Sequence, residues 1–563
     1  MSATLVLTNG RIHTMNPAQP TATAVAIRHN RILAVGNDDE MKTLLGNGGE
    51  WIDCHGRGLI PGLVDAHVHF QWFSLGLQQV NLDGTKSLDE ALSRIQQQIA
   101  EYGTRNTEHG TRNTEHGTRN TEHGTRNTNG WLRGRGWRTA DWPTHAFPTA
   151  ADLDKVVPHM PAYLPDKSGH AAWVNSRALK IAGIDAATPD PPGGQIQRDA
   201  DGNPTGILFE DALDLVGRHI PKPTPVQIAD AMKAAQQVCW QAGLTGIHDF
   251  DGRDCFLALQ MLKEQGELGL RFLKNVPVYR LEHALGVGLR SGFGDDWLRI
   301  GGIKIFADGA LGPRTAAMLS PYEGEPNNTG IVVTDKEEMI EKARAASAAG
   351  FSVTIHAIGD RANHDVLDVY EAVRAQEQRH NPQSAIRNPQ LRHRIEHVQI
   401  LHPDDLNRLG QLNVIASMQP THATSDMEMA EAHWGDRAQY SYAWRTMLDS
   451  GALLVFGSDA PIEKIDPLPG IHAAVTRRRA NGEPGADGWY PSQKLTMQET
   501  VHAFTMAAAL TGGTQAQLGS IVPGKLADIT LTSRDLFTTP HDELLDITID
   551  GTIVNGEFKY RNY

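Results

Sequence analysis

Two histidines separated by one residue close the apolar run Pro61-Gly62-Leu63-Val64-Asp65-Ala66-His67-Val68-His69-Phe70. On a strand, His67 and His69 project from the same face, so both imidazoles reach one ion. Two buried imidazoles without partners are costly, which favours a shared metal at the end of a core strand. Three further apolar runs end in the same way. His356 closes Phe351–Ile355, His397 closes Arg394–Glu396, and Asp459 follows Val455-Phe456-Gly457-Ser458. Four imidazoles and a carboxylate form a donor set for a hard-to-borderline divalent ion such as Zn²⁺. Such an ion lowers the pKa of a water to about 7 and polarises carbonyls, which is the chemistry of hydrolysis.

These residues act together only if the chain brings the ends of their runs to one place. Eight apolar runs alternate with helical stretches: Leu59–His67, Gly243–Phe250, Arg271–Tyr279, Gly302–Ala307, Ser352–Ala357, Arg394–Gln399, Val414–Gln419 and Leu453–Ser458. Continuous apolar strands alternating with helices predict an α/β fold with a parallel sheet covered on both faces. Eight such units predict a closed (β/α)₈ TIM barrel, although an open doubly wound sheet shares the pattern. In a barrel the carboxyl ends of all strands meet at one rim, so His67, His69, His356, His397 and Asp459 converge there. His393 shares the inward parity of His397 but lies near the start of its strand, away from the rim, and is rejected as a ligand.

The ends of the chain have a different texture. Thr4–Leu7 and Arg11–Met15 flank Asn9-Gly10, Ala24–Ile27 and Ile32–Val35 flank His29-Asn30, and Ile529–Leu531, Ile547–Ile549 and Gly556–Tyr560 return to short strands. Each piece is too short to bury a face alone, so residues 1–60 and 512–563 are expected to build one small composite β-sandwich domain around a barrel spanning 61–511. The connection over residues 71–240 is far longer than an ordinary strand–helix loop and is expected to hold an inserted lid subdomain over the barrel mouth. Within it, GTRNTEH repeats three times from Gly103 to His123, with a partial fourth copy to Thr128. Its composition disfavours a helix and cannot build a core, so 103–128 is expected to be a flexible, solvated, non-catalytic loop.

Bulk composition narrows the function classes. Lys and Arg total 52 against 66 Asp and Glu, a net charge of −14 that opposes a nucleic-acid-binding face. Cys54, Cys239 and Cys255 are too few and too scattered for a disulfide framework or a cysteine zinc site. The amino terminus lacks a basic signal region, and no apolar run approaches the ~20 residues of a membrane span. A soluble, cytoplasmic protein acting on a small molecule is expected, without nucleic-acid or membrane partners.

The run PGLVDAHVH over 61–69 resembles the strand-one signature of the amidohydrolase superfamily. Seven further segments are similar to its YtcJ-like branch, which includes N-substituted formamide deformylase. They are Ser168–Ser176, Lys304–Leu311, His356–Ala362, Arg394–His397, Met418–His422, Gly457–Pro461 and Gly519–Asp528. They follow in the expected order along nearly the whole chain; the GTRNTEH repeat is the one departure. The resemblance implies a distorted barrel with the composite β-domain, and metal-dependent hydrolysis of a C–N bond, N-formyl or cyclic amide included. It also implies that Lys304 is a ligand after carbamylation. A free ammonium has no lone pair for a metal, whereas a carbamate supplies two oxygens that can bridge two ions. A lysine paired with Asp308 or another carboxylate is the alternative, so the site holds one or two divalent ions. Asp459 is the expected proton shuttle, His170 or His422 would help polarise the carbonyl, and Trp173 and Arg314 are candidate substrate contacts. A homodimer is the expected assembly. Deamination and ester or phosphoester hydrolysis occur on the same scaffold. A catalytically silent metal-binding protein is the remaining reading, and the intact histidine–aspartate set argues against it.

Overall fold

The computed structural model describes residues 2–109, 130–167, 170–379 and 391–563. The chain divides into two compact units, Met1–Phe73 with Lys233–Tyr563, and Ser74–Met232.

In the larger unit eight parallel strands pair in chain order: β1 (Leu63–Val68), β2 (Leu244–Asp249), β3 (Arg271–Pro277), β4 (Leu298–Phe306), β5 (Val353–Ala357), β6 (Arg394–His397), β7 (Ile415–Met418) and β8 (Leu454–Phe456). The first and last meet through a parallel bridge, Val68 to Ala460. There the Asp459 N–H donates to the His67 carbonyl at 2.7 Å and the His69 N–H to the Ala460 carbonyl at 2.9 Å. This seam nearly closes the sheet into a barrel, and the open doubly wound alternative falls away.

The run read as one strand, Leu59–His67, is two. Gly58–Pro61 pairs with Arg11–Ile12 and with Ile529–Thr532, in a different sheet from β1. Gly62 is the crossing point. A Cβ there would lie 2.4 Å from the Thr245 side chain, so only glycine lets the chain pass from one sheet to the other at this spacing.

Strands from both termini form two sheets. One is four-stranded, in the order Arg31–Gly36, Ala24–Arg28, Ala3–Thr8, Leu45–Asp53; the other is six-stranded and contains Arg11–His13, Thr21–Ala22, Gly58–Pro61, Ile529–Thr532, Ile549–Val554 and Glu557–Arg561. Leu5, Leu7, Val25 and Ile27 from the first pack with Ile12, Leu59, Ile529 and Ile553 from the second in one buried cluster, the interior of a sandwich. The Asn9-Gly10 turn therefore joins strands of different sheets, whereas Ala24–Arg28 and Arg31–Gly36 pair as a hairpin. The strand expected at Ile547–Ile549 begins only at Ile549, because His541–Asp546 form a 3₁₀ turn immediately before Ile547.

The second unit carries its own six-stranded sheet, from Gly194–Arg198 at one edge to Val80–Asn81 at the other. Its core collects Trp137, Trp142, Trp173, Leu164 and Ile207. The helix Leu88–His109 packs Leu88, Leu92, Ile95 and Ile99 against this core. That helix runs on through Gly103–His109, the first GTRNTEH copy, where an irregular loop was expected. Adding residues to a helix already nucleated by an apolar face is far easier than starting one, so weak propensity does not stop it at once. The copies from Gly110 to Thr128 lie outside the described residues. Among the described residues no helix is long and apolar enough to cross a membrane.

Candidate metal centre

His67, His69, Lys304, His356, His397, His422 and Asp459 line one cavity of about 420 Å³ at the carboxyl ends of the barrel strands. The hydrogen bonds of four histidines decide which ring nitrogen is free. The His67 Nδ1–H donates to Glu396 Oε2 at 2.6 Å, the His69 Nδ1–H to Asp251 Oδ1 at 3.1 Å, and the His397 Nδ1–H to Gln419 Oε1 at 2.8 Å. The His356 Nε2–H donates to the Gly309 carbonyl at 2.9 Å. Carboxylate, amide and carbonyl oxygens only accept, so each bond fixes a tautomer. The lone pairs left over are on Nε2 of His67, His69 and His397 and on Nδ1 of His356. Donor atoms of His67, His69 and Asp459 lie within 4.8 Å of one another, as do those of His397, His422 and Asp459. The His356 and His397 ring centroids are 4.6 Å apart.

Burial keeps these rings neutral. It brings His356 down to about 3, aided by the Lys304 charge, and His422 to about 4. His67 and His397 also fall well below the usual histidine range, from burial first and then from neighbouring cations. His69 is the exception: burial pulls it down most, but the hydrogen bond and charge of Asp251, with the charges of Asp459 and Asp249, together raise it. Neutral imidazoles with uncommitted lone pairs are the state that binds a divalent ion. His422 adds a second sign, because both its ring nitrogens are buried without a hydrogen-bond partner among the described residues. The donor set fits a metal.

Lys304 is equally buried. Its Nζ has no hydrogen-bond partner among the described residues and sits over the rings of Phe250 and Phe306, at 4.8 and 4.7 Å. Burial lowers its ammonium to about 8. Pairing with Asp308 does not occur, because the Asp308 carboxylate accepts the backbone N–H groups of Ala317, Ile358 and Gly359. Asp459 Oδ1 lies 3.5 Å from His67 Nε2 and 3.6 Å from His69 Nε2. Burial pushes its carboxyl up to about 7 against the pull of His69 and Lys304.

The alternation read along β6 needs correction. Arg394 and Glu396 are the inward pair: Arg394 Nη1 lies 3.1 Å from His248 Nδ1 on β2, and Glu396 holds His67 on β1. His393 faces outward, where its Nε2 meets Glu377 Oε1 at 2.9 Å on the helix Asp360–Arg379. His397 reaches the cavity because its backbone leaves the strand, with φ of 77° followed by 44° at Val398. His393 therefore stays clear of the centre for a different reason than parity and depth along one face.

Three other expected site residues are engaged elsewhere. Trp173 is 0% exposed inside the core of the inserted unit, where its Nε1–H donates to the Thr149 carbonyl at 2.8 Å. That burial leaves no face for a substrate and corrects its reading as a contact. Trp173→Ala should cost about 3–5 kcal/mol of stability in urea unfolding; an unchanged midpoint with a raised KM would restore the substrate role. Arg314 pairs with Glu325 at 2.6 Å and is absent from the cavity lining, which takes only Ala310, Leu311 and Gly312 from its loop. His170 is an exposed residue of the inserted unit paired with Glu210 at 2.9 Å.

Sequence reading missed Glu396, Asp251 and Gln419, the residues that orient the rings. Glu396 and Gln419 stand beside named motif residues, and Asp251 just beyond the end of β2. Their roles depend on partners 329, 22 and 182 residues away in the chain.

The profile of the Amidohydrolase family matches residues 50–560. Protein LONG AFTER FAR-RED 3 of Arabidopsis thaliana is 33% identical, over 99% of this chain and 92% of its own. Putative amidohydrolase YtcJ of Bacillus subtilis is 31% identical over 98% of both chains. N-substituted formamide deformylase of Arthrobacter pascens is 27% identical over 99% of this chain and 98% of its own. Among solved structures, an uncharacterized metal-dependent hydrolase from Pyrococcus horikoshii superposes with a TM-score of 0.75 at 26% identity, over 95% of this chain and 99% of that one.

Proposed function

The chain belongs to the amidohydrolase family and is a hydrolase acting on carbon–nitrogen bonds; from that premise we propose that its substrate is a small N-formyl or cyclic amide. The observation that carries this reading is the convergence of four imidazole lone pairs, Asp459 and Lys304 on one cavity. The likeness to a deformylase of N-substituted formamides supports the bond class. The cavity supports the size and character of the substrate. Trp72, Phe306, Leu311, Ile358, Met429 and Ile462 give it apolar walls suited to an amine substituent.

The residues proposed to hold the metal are His67, His69, His356, His397 and Asp459, with Lys304 as a carbamate. A divalent ion, zinc by preference for this nitrogen-rich set, would polarise the substrate carbonyl and acidify a water. Lys304 becomes a donor by attack of its neutral amine on CO₂, which forms the C–N bond of the carbamate and releases one proton. Its lowered pKa makes that neutral amine available near pH 8. Asp459 accepts a proton from the attacking water at its carboxylate and delivers it to the leaving nitrogen. The products are a carboxylic acid and an amine, and water supplies both the hydroxyl and the proton. Glu396, Asp251 and Gln419 hold the rings in the required tautomers, as outer partners do in metal sites generally. His422, with both nitrogens uncommitted, is positioned to donate to the carbonyl oxygen.

The metal-loaded protein should release formate and amine in equal amounts from an N-formyl alkyl- or arylamine, or open a cyclic imide. A panel containing both, an aminopyrimidine and a phosphomonoester tests this. Turnover confined to the aminopyrimidine or the phosphoester would overturn the proposal.

A further inference from the structure

The opposite mouth of the barrel contains a second cavity, of about 480 Å³, away from the metal centre. Its lining comes from the amino-terminal ends of strands and the loops leading into them. Ser352 precedes β5, Arg392 precedes β6, and Arg299, Gly301 and Gly302 lie in the first half of β4. Because the strands are parallel, this end is remote in every strand from the end that carries His67, His356 and His397.

Its charge is one-sided. Arg290, Arg299, Arg392 and Arg394 line it, and among the described residues no carboxylate does. Arg394 is already committed, through its Nε to Glu396 Oε1 at 2.5 Å. The other three have no ion pair among the described residues. Arg299 donates only a long bond from Nη1 to the Gly292 carbonyl, at 3.4 Å, and its Nε is buried with no acceptor. Arg392 is half-buried, and burial lowers its guanidinium below the usual range. In a chain of net charge −14, three arginines facing one cavity without counter-charges are an unneutralised cationic site.

Glycines pack against two of these side chains, one of them against the Arg392 guanidinium. A Cβ on Gly513 would lie 3.3 Å from Arg392 Nη1, and one on Gly350 would lie 3.6 Å from Arg290 Cβ. Both glycines have positive φ, 70° and 86°, so the turns that open this space disfavour other residues. Arginine forks recognise oxyanions by paired N–H donors, and a buried unpaired Nε–H needs an acceptor. The adjoining small cavity shares Arg299 but contains Asp295 and Asp296, which confines the cationic character to the larger one.

We propose that this cavity, at the amino-terminal mouth of the barrel, binds a small multivalent oxyanion through Arg290, Arg299 and Arg392. The recognised chemistry is a phosphate or a cluster of carboxylates on a small metabolite. It is independent of the hydrolytic centre and of the substrate proposed for it.

The test is calorimetric titration of the full-length, metal-loaded protein with inorganic phosphate and, separately, with citrate. At least one should bind with one site per chain, and binding should weaken with added salt. Tighter binding of phosphate points to a phosphorylated metabolite, and tighter binding of citrate to a polycarboxylate; either supports the site. Arg290→Gln with Arg392→Gln should reduce affinity about tenfold or more, since each removes a charge-assisted bond. Arg290→Gln alone, at an exposed position, provides a folded variant with a smaller loss in the same direction. His397→Ala, which weakens the metal centre, should leave the anion affinity unchanged. No heat with either anion at tens of millimolar, or binding that the arginine variants leave intact, overturns the proposal. Binding lost in His397→Ala overturns it too, by assigning the anion to the metal.

Discussion

Asp459→Asn is expected to lower kcat by about 10²–10⁴-fold while leaving most of the bound metal in place. The substitution isolates the carboxylate well. Asp459 sits at φ 60°, a left-handed conformation that asparagine adopts with little strain and alanine does not. Its backbone N–H, which holds the barrel seam through the His67 carbonyl at 2.7 Å, is unaffected. An amide keeps one acceptor oxygen near His67 and His69 but has no basic site for a proton. The four histidines keep their own orienting partners, so metal content should fall much less than rate. Single-turnover assays on protein of measured metal content separate the two effects. Retention of more than about a tenth of wild-type kcat at full metal loading would be too small a loss for a proton shuttle. The shuttle would then be sought at His422, whose ring nitrogens are unpartnered among the described residues.

How far these residues were legible in the sequence depends on what determines each one. The ring-bearing strand ends were readable because an apolar run ending in histidine is a local signal, and parallel topology supplies the convergence. His397 was reached by an argument that the backbone then altered. Strand alternation alone points Arg394 and Glu396 into the barrel, and a left-handed residue at the strand end brings His397 in beside them. No property of the sequence Arg-Ile-Glu-His encodes that turn. The crossing at Gly62 was hidden for the opposite reason. Both flanking strands are apolar and extended, so a single run covers two sheets, and only the approach of Thr245 separates them. Trp173 shows the limit of motif reasoning. A tryptophan within a resembling segment reads as a substrate contact, yet the inserted unit needs large rings to fill its own core. Lys304 was named by resemblance alone. That its Nζ makes no hydrogen bond among the described residues, with Asp308 taken up by backbone N–H groups, is a three-dimensional fact.

Removal of the metal should abolish activity, zinc should restore it, and metal affinity should rise with pH. The pH dependence follows from which donors must lose protons. His356 and His422, at about 3 and 4, and His67 and His397, held low by burial, are neutral throughout the physiological range and release nothing on binding. Asp459, at about 7, Lys304, at about 8, and His69, raised above the usual histidine range, are the groups that hold protons in the metal-free protein near neutrality. All three have to be deprotonated to act as donors, Lys304 before it can take up CO₂. Raising the pH removes those protons in advance, so the apparent Kd should fall as pH rises. Each proton released contributes up to about tenfold per pH unit below its pKa and nothing above it. From pH 6 to 7 the Kd for zinc, measured in a metal-buffered titration with bicarbonate present, should therefore fall by at least about tenfold. Above about pH 8 the dependence should flatten. Lys304→Met should reduce the slope by one proton, and His67→Ala should weaken binding without changing it. An affinity that is flat from pH 6 to 8 would mean that none of Asp459, Lys304 and His69 gives up a proton to the metal. Activity that survives complete chelation would remove the metal from the reaction altogether.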